Sequence, residues 1–125
     1  MVLGDLLTEN EDPDCLLRYV HGCGRLDREL LHFLLETEER LSVEELATSM
    51  DRDRSTVYRS IRRLEEYSYV TKARHTYENG GYCYRYAAAE PDAIAAHLEH
   101  RVEACQDRLG ELMTEFRSTY CEESS

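Results

Sequence analysis

Apolar residues recur every three or four positions along most of this chain, and the spacing drops to two only between Tyr69 and Tyr86. Leu16, Leu17 and Val20 give the apolar side of a short helix, opened by Asp12-Pro13 and closed by Gly22 and Gly24. Asp27 reads as the cap of a second helix. There Leu30, Leu31, Phe33, Leu34 and Leu35 are apolar on more than one face, which predicts a mostly buried helix. Residues 36–40 are a polar connection.

The segment from Leu41 to Leu64, LSVEELATSMDRDRSTVYRSIRRL, predicts two helices and a tight turn. Ser42 and Glu45 have the spacing of a capping box, in which hydroxyl and carboxylate each take an N–H left over at the helix start. Leu41 and Leu46 can close over it as a hydrophobic staple, and Val43, Leu46 and Met50 line one side. Asp51 to Asp53 interrupt the period, and Asp53 is a good N-cap for a helix over about 54–66. Within it Val57, Ile61 and Leu64 fall at i, i+4 and i+7, a single apolar stripe. At about 100° per residue Ser55, Arg59 and Arg62 lie opposite, with Arg52 and Arg63 beside them.

A helix held from behind by an apolar stripe and faced with Arg, Ser, Thr and Tyr suits a DNA major groove. Arginine can bridge phosphates or donate two bonds to a guanine edge, and the helix start attracts a phosphate. The candidate contacts are Arg52, Arg54, Ser55, Thr56, Tyr58, Arg59, Arg62 and Arg63, with Arg59 and Arg62 on the bases. The competing reading is a solvated basic face on an ordinary helix.

Tyr69–Tyr77 and Tyr82–Tyr86 predict two strands of a hairpin. Asn79-Gly80 between them predicts a type I′ turn, which needs positive φ at both central residues. An arginine-faced helix followed by a basic hairpin is a winged helix–turn–helix. Lys72, Arg74 and Arg85 on the wing 69–86 would then reach phosphates or an adjacent minor groove. Alternatively they only charge exposed strands against aggregation. Tyr82, Tyr84 and Tyr86 share a face and are expected to pack rather than to stack on bases.

Glu90-Pro91 opens a last helix running to about Tyr120, where Ala95, Leu98, Val102, Cys105, Leu109, Leu112 and Phe116 alternate spacings of three and four. So long a helix outruns a small domain. Leu98, Val102, Cys105, Leu109, Leu112 and Phe116 are therefore expected to form a homodimer interface, unless the helix folds back along its own domain. The chain divides into a flexible acidic arm (1–11), a DNA-binding domain (12–89), a dimerisation helix (90–120) and a disordered tail (121–125).

The net charge of −11 is unusual for a nucleic-acid binder. Residues 40–86, however, hold nine Lys/Arg against seven acids, so the excess acid lies outside the proposed module. Lys72 is the single lysine among fifteen basic residues. An acidic, lysine-poor surface fits a protein hydrated in multimolar salt, where self-repulsion is screened to within about 3 Å at 1 M. A halophilic source is expected, against the plainer reading of an acidic protein that uses arginine. No apolar run approaches the roughly 18 residues of a membrane span, and the acidic start lacks a basic n-region. The expected compartment is the cytoplasm.

From Leu26 to Tyr120 the chain resembles the small archaeal winged-helix regulators of the TrmB-like and MarR-like kind, and PadR-like regulators are similar as well. The resemblance rests on LSVEELATSMDRDRSTVYRSIRRLEE, the hairpin with ENGGY and the Pro91-led helix. It implies a mostly α fold with a β-hairpin wing, a winged helix–turn–helix plus a long C-terminal dimerisation helix. It also implies a homodimeric transcription factor whose Ser55–Arg63 segment enters the major groove of double-stranded DNA, at a pseudo-palindromic operator. Larger sugar-sensing members carry a further effector domain, so the resemblance does not by itself imply sugar sensing.

Five cysteines, Cys15, Cys23, Cys83, Cys105 and Cys121, offer a sensing chemistry but no C-x-x-C pair. His21 beside Cys23, with Cys15 upstream, makes a small Cys/His metal cluster conceivable, yet no metal or cofactor is assigned. Cys105 would meet its mate if two terminal helices paired parallel and in register. Otherwise Cys15, Cys83 and Cys105 read as small hydrophobes. The chain has no G-x-S-x-G, phosphate loop or H-E-x-x-H, so an enzyme is not expected. The alternatives are an acidic dimeric interaction module, or a regulator whose thiols or a metal control DNA binding.

Overall fold

The structure, a computed structural model, describes residues 3–8 and 12–121. A single helical turn, α1 (Asp5–Thr8), falls within the stretch expected to be a flexible arm. Residues 1, 2 and 9–11 of that arm and 122–125 of the expected tail lie outside the described residues.

Helix α2 (Cys15–His21) starts later than the Asp12-Pro13 pair predicts, with Asp14 at the N-cap position and no side-chain capping bond. Gly22 closes it at φ 72, a left-handed conformation that glycine adopts without a Cβ penalty. Gly24 then opens α3 (Arg25–Leu35). Asp27 is therefore not a cap. It lies inside the first turn of α3 and is 2% exposed. Leu30, Leu31 and Leu34 of α3 are buried, but Leu35 is exposed, so the buried face is narrower than the sequence implies.

Helix α4 (Val43–Met50) begins with the expected capping box. Glu45 N–H donates to Ser42 Oγ at 3.2 Å, and Ser42 N–H donates to Glu45 Oε1 at 2.9 Å. Asp51, at φ 54, turns the chain in the left-handed region. Asp53 caps α5 (Arg54–Glu66), accepting from Thr56 N–H at 3.2 Å. Val57, Ile61 and Leu64 are fully buried, and Ser60 is buried beside them. This stripe packs onto α3, α4 and the start of the hairpin.

The hairpin pairs β1 (Val70–Thr76) with β2 (Tyr82–Ala88), antiparallel, from Val70 opposite Ala88 to Thr76 opposite Tyr82. Leu41 adds a one-residue bridge on the other edge of β2. Its N–H donates to the Tyr86 carbonyl at 2.9 Å, and the Tyr86 N–H returns a bond at 2.8 Å. The turn is not the type I′ that Asn79-Gly80 predicts. Gly80 has φ 94, but Asn79 is not in the positive region. Gly80 N–H donates to the Tyr77 carbonyl at 3.1 Å, and Tyr77 N–H to the Gly81 carbonyl at 2.7 Å. That is a three-residue loop with glycine in the left-handed position. Asn79 Oδ1 accepts from Gly81 N–H at 3.1 Å, which helps hold it.

Helix α6 runs from Pro91 to Tyr120. Its root is tied in by buried Ile94 and by Leu98, packed on the core. Val102 is half-buried, and every residue from Glu103 to Cys121 is exposed. Among the described residues no helix is long and apolar enough to cross a membrane. The observed architecture is thus mostly helical, with a two-stranded wing and a long terminal helix.

Candidate nucleic-acid interface

With its apolar stripe buried, α5 turns its other side outward. Arg52, Tyr58, Arg59 and Arg62 are exposed and weakly held. Arg52 Nη1 donates to the Asp51 carbonyl at 3.3 Å, and Arg59 Nη2 reaches Thr56 Oγ1 at 3.5 Å. Arg62 Nη1 lies 3.4 Å from the Tyr58 hydroxyl and its Nε 3.9 Å from Glu65. Such loose local contacts leave the guanidinium groups able to exchange their partners for phosphate oxygens or base edges.

Four other residues expected on this face are engaged elsewhere. Ser55 Oγ and Thr56 Oγ1 each donate to the Asp53 carboxylate at 2.6 Å, so both hydroxyl hydrogens serve the cap. These bonds, with Thr56 N–H, hold the Asp53 carboxyl down to about 2. The helix start thus carries its own anion, and its dipole is already answered there. Arg54 Nε donates to Glu44 Oε1 at 2.7 Å, joining α5 to α4 across the turn, and this bond lowers the Glu44 carboxyl below its ordinary value.

Arg63 departs most from the expected placement. It faces α3, where its Nε donates to Asp27 Oδ2 at 2.9 Å and its Nη2 to Asp27 Oδ1 at 2.8 Å. Ser60 Oγ donates to the same carboxylate. One buried acid therefore ties α3 to two residues of α5 and fixes the roll of the helix. The role of Asp27 could not be read from spacing, because its partners stand 33 and 36 residues away.

The wing divides its three basic residues. Cross-strand pairing puts Lys72 and Arg74 on the face of Tyr84 and Tyr86, and Arg85 on the opposite face with Ala73. Lys72 Nζ sits 4.6 Å from the Tyr84 ring centre and 3.6 Å from Glu65, which brings this face against the end of α5. The Arg74 guanidinium lies 3.9 Å over Tyr82. Arg85 is half-buried and does not join them. Tyr86 packs in the core as expected, but Tyr82 and Tyr84 are exposed and carry the cations. The diagonal offset of residues in a twisted pair is the signal that could have found them. Arg40, missed in the sequence, braces the hairpin by donating to the Thr71 carbonyl and hydroxyl, both at 3.2 Å.

Among the described residues no group of three or more His, Cys, Asp or Glu converges to hold a metal. Cys23 is buried, and burial with nearby Asp27 pushes its thiol up to about 11, away from thiolate chemistry. Cys105, expected to be covered, is exposed on the outer part of α6.

Comparison with known proteins agrees with this geometry. A helix–turn–helix domain model matches residues 27–82. An uncharacterized protein of Methanocaldococcus jannaschii is 30% identical over 102 residues, covering 82% of this chain and 83% of the relative. Among solved structures, a possible transcriptional regulator from Methanosarcina mazei superposes with a TM-score of 0.77 at 23% identity, over 86% of this chain and 90% of that one. A protein of Sulfolobus tokodaii superposes with a TM-score of 0.62 at 20% identity, over 75% and 91%. At these identities the structural likeness speaks for the fold.

Proposed function

We propose that the chain, which shares a family with the Methanocaldococcus jannaschii protein and carries a helix–turn–helix domain, is a DNA-binding transcriptional regulator that binds a two-fold operator as a homodimer. Helix α5 enters the major groove. Arg59 and Arg62 read base edges there, and Arg52 and Tyr58 lie against the backbone. Lys72 and Arg74 of the wing anchor phosphates beside it, with Tyr82 and Tyr84 as their supports. Arg54, Ser55 and Thr56 hold the helix start in place, and Arg63 sets the roll of the helix through Asp27. The observation that carries this reading is the division of α5: Val57, Ile61 and Leu64 are fully buried while Arg59 and Arg62 are exposed and lightly held.

The dimer rests on α6. Leu109, Leu112, Met113 and Phe116 are exposed along its outer part. An apolar cleft of about 560 Å³, lined by residues that include Leu6, Leu7, Leu16, Val102, Cys105 and Leu109, continues this surface toward α1 and α2. Contiguous apolar surface of this kind marks an association site, and a second copy's α6 offers the matching stripe.

Selection from a random duplex library tests the reading. The wild-type chain should enrich a symmetric motif, and Arg59→Ala with Arg62→Ala should relax preference at fixed positions in both halves. Enrichment of the same motif by the double variant would overturn the assignment.

A further inference from the structure

Away from the proposed DNA-facing surface, a polar cluster forms where α2, the end of α5, the residue before β1 and α6 meet. Tyr69, 1% exposed, holds its hydroxyl between two imidazoles, 2.7 Å from His21 Nε2 and 2.8 Å from His97 Nδ1. Tyr67 stacks on His21 with ring centres 3.9 Å apart. His21, Glu66, Tyr67, His97 and Arg101 line a small cleft of about 200 Å³. The Arg101 guanidinium makes no hydrogen bond or ion pair among the described residues.

The protons of this cluster can be counted. A tyrosine hydroxyl has one hydrogen to give and lone pairs to receive. With both rings neutral, one facing nitrogen carries a hydrogen and the other a lone pair. One added proton fits on the donor ring. A second would make both facing nitrogens donors to the same oxygen. It would also place two imidazolium rings 5.9 Å apart beside Arg101. The groups facing the rings are Glu66 and Tyr67 from α5 and its end, Tyr69 just before β1, and Arg101 from α6. Cys23 and Arg101 also act on Tyr69, and Cys23, Asp27, Glu66 and Arg63 on Tyr67. Burial pushes both phenols up, Tyr69 to about 12, so both keep their protons near neutrality. Burial first, then the charges of Arg101 and His97, hold His21 below its ordinary value. The cleft thus has a guanidinium with no hydrogen bond or ion pair among the described residues and, in His21, a ring that burial first and nearby positive charge second hold below its ordinary pKa. Its single acid, Glu66, stands exposed at the rim.

We infer that His21, His97 and Arg101 form a binding site for a small oxyanion, a carboxylate or a tetrahedral anion such as sulfate or phosphate, taken up together with one proton. The anion pairs with Arg101 and supplies the charge that lets one imidazole become cationic. Glu66 and Tyr67 stand at the end of α5 and Arg101 on the root of α6, so the occupant touches both functional helices. Its role as an effector of DNA binding rests on the function proposed above, whereas binding itself is measured without DNA.

Isothermal calorimetry of the full chain with sodium sulfate and, separately, sodium acetate tests the site, since neither anion titrates between pH 6 and 8. The runs use buffers of different ionisation heat. The expected result is saturable single-site binding of at least one anion at pH 6, weaker by about tenfold at pH 8, with uptake of close to one proton. Saturation by only one of them supports the site and identifies the class. Arg101→Gln, at an exposed position with no hydrogen bond or ion pair among the described residues, should weaken binding by about tenfold or more while leaving Tm unchanged. His21→Gln, which can still bond Tyr69, should reduce the proton uptake and the pH dependence. Absence of saturation by both anions, or affinity indifferent to Arg101→Gln, would overturn the site. Binding without proton uptake would overturn its linkage.

Discussion

Helices α5 and α6 carry the same device, an apolar stripe at helical spacing, and the chain treats the two oppositely. Val57, Ile61 and Leu64 are 0% exposed, whereas Leu109, Leu112 and Phe116 are 48%, 43% and 56% exposed. Periodicity declares that a face needs a cover but does not say which surface provides it. In α5 the cover is local: α3, α4 and β1 close over one side, which leaves the arginines on the other side free for a ligand. Helix α6, thirty residues and hence about 45 Å long, runs beyond anything its own domain can offer. Its root is buried and its outer part is exposed. On the function proposed above, one stripe orients a binding surface, and the other joins two copies of the chain.

This contrast can be broken at several points. The largest effect is expected inside α5. Ile61→Ala should cost about 2–5 kcal/mol in urea unfolding, as loss of a fully buried aliphatic side chain does; a cost near that of a surface change would mean the stripe is not the anchor. Next comes α6. Leu109→Asp with Leu112→Asp should raise the dimer dissociation constant by about 30-fold or more in sedimentation equilibrium, with the helical circular dichroism of the DNA-binding domain retained. A wild-type chain that sediments as a monomer would remove the contrast altogether. Third, Arg59→Ala should weaken operator binding by about 1–3 kcal/mol in an anisotropy titration while leaving unfolding unchanged, since the side chain supports nothing in the fold.

The smallest effect concerns pH. The folded His21 pKa lies below its ordinary value of 6.5, so between the two the unfolded chain binds more protons. Its contribution to stability is therefore present above pH 6.5 and is lost as pH falls through the lower folded value. His21→Gln should flatten that part of a pH series of urea midpoints. A series of the same shape in both proteins would locate the dependence elsewhere.

Much of the fold was legible because local chemistry and tertiary packing agree. Ser42 with Glu45 marked the start of α4, Asp53 the start of α5, and Pro91 the start of α6. What escaped the sequence depends on distant partners. Asp27 looks like a cap because it stands near a helix start, but its carboxylate serves Ser60 and Arg63, more than thirty residues on. Once that pair forms, the Arg63 guanidinium is turned toward α3, although its side chain stays half exposed. The wing was legible as a hairpin but not in its details. Gly80 alone takes the left-handed position, which makes a three-residue loop, and strand register sends Arg85 to the opposite face from Lys72 and Arg74. The lone bridge between Leu41 and Tyr86 has no sequence signal of its own, since one residue sets no period.

Methylation protection at guanine N7, an atom of the major-groove edge, on a duplex enriched by the wild-type chain tests both helices together. The account predicts two protected clusters about one helical turn apart, with protection lost at matching guanines in each when Arg59 is replaced by Ala. A single cluster, or protection indifferent to Arg59, would contradict it.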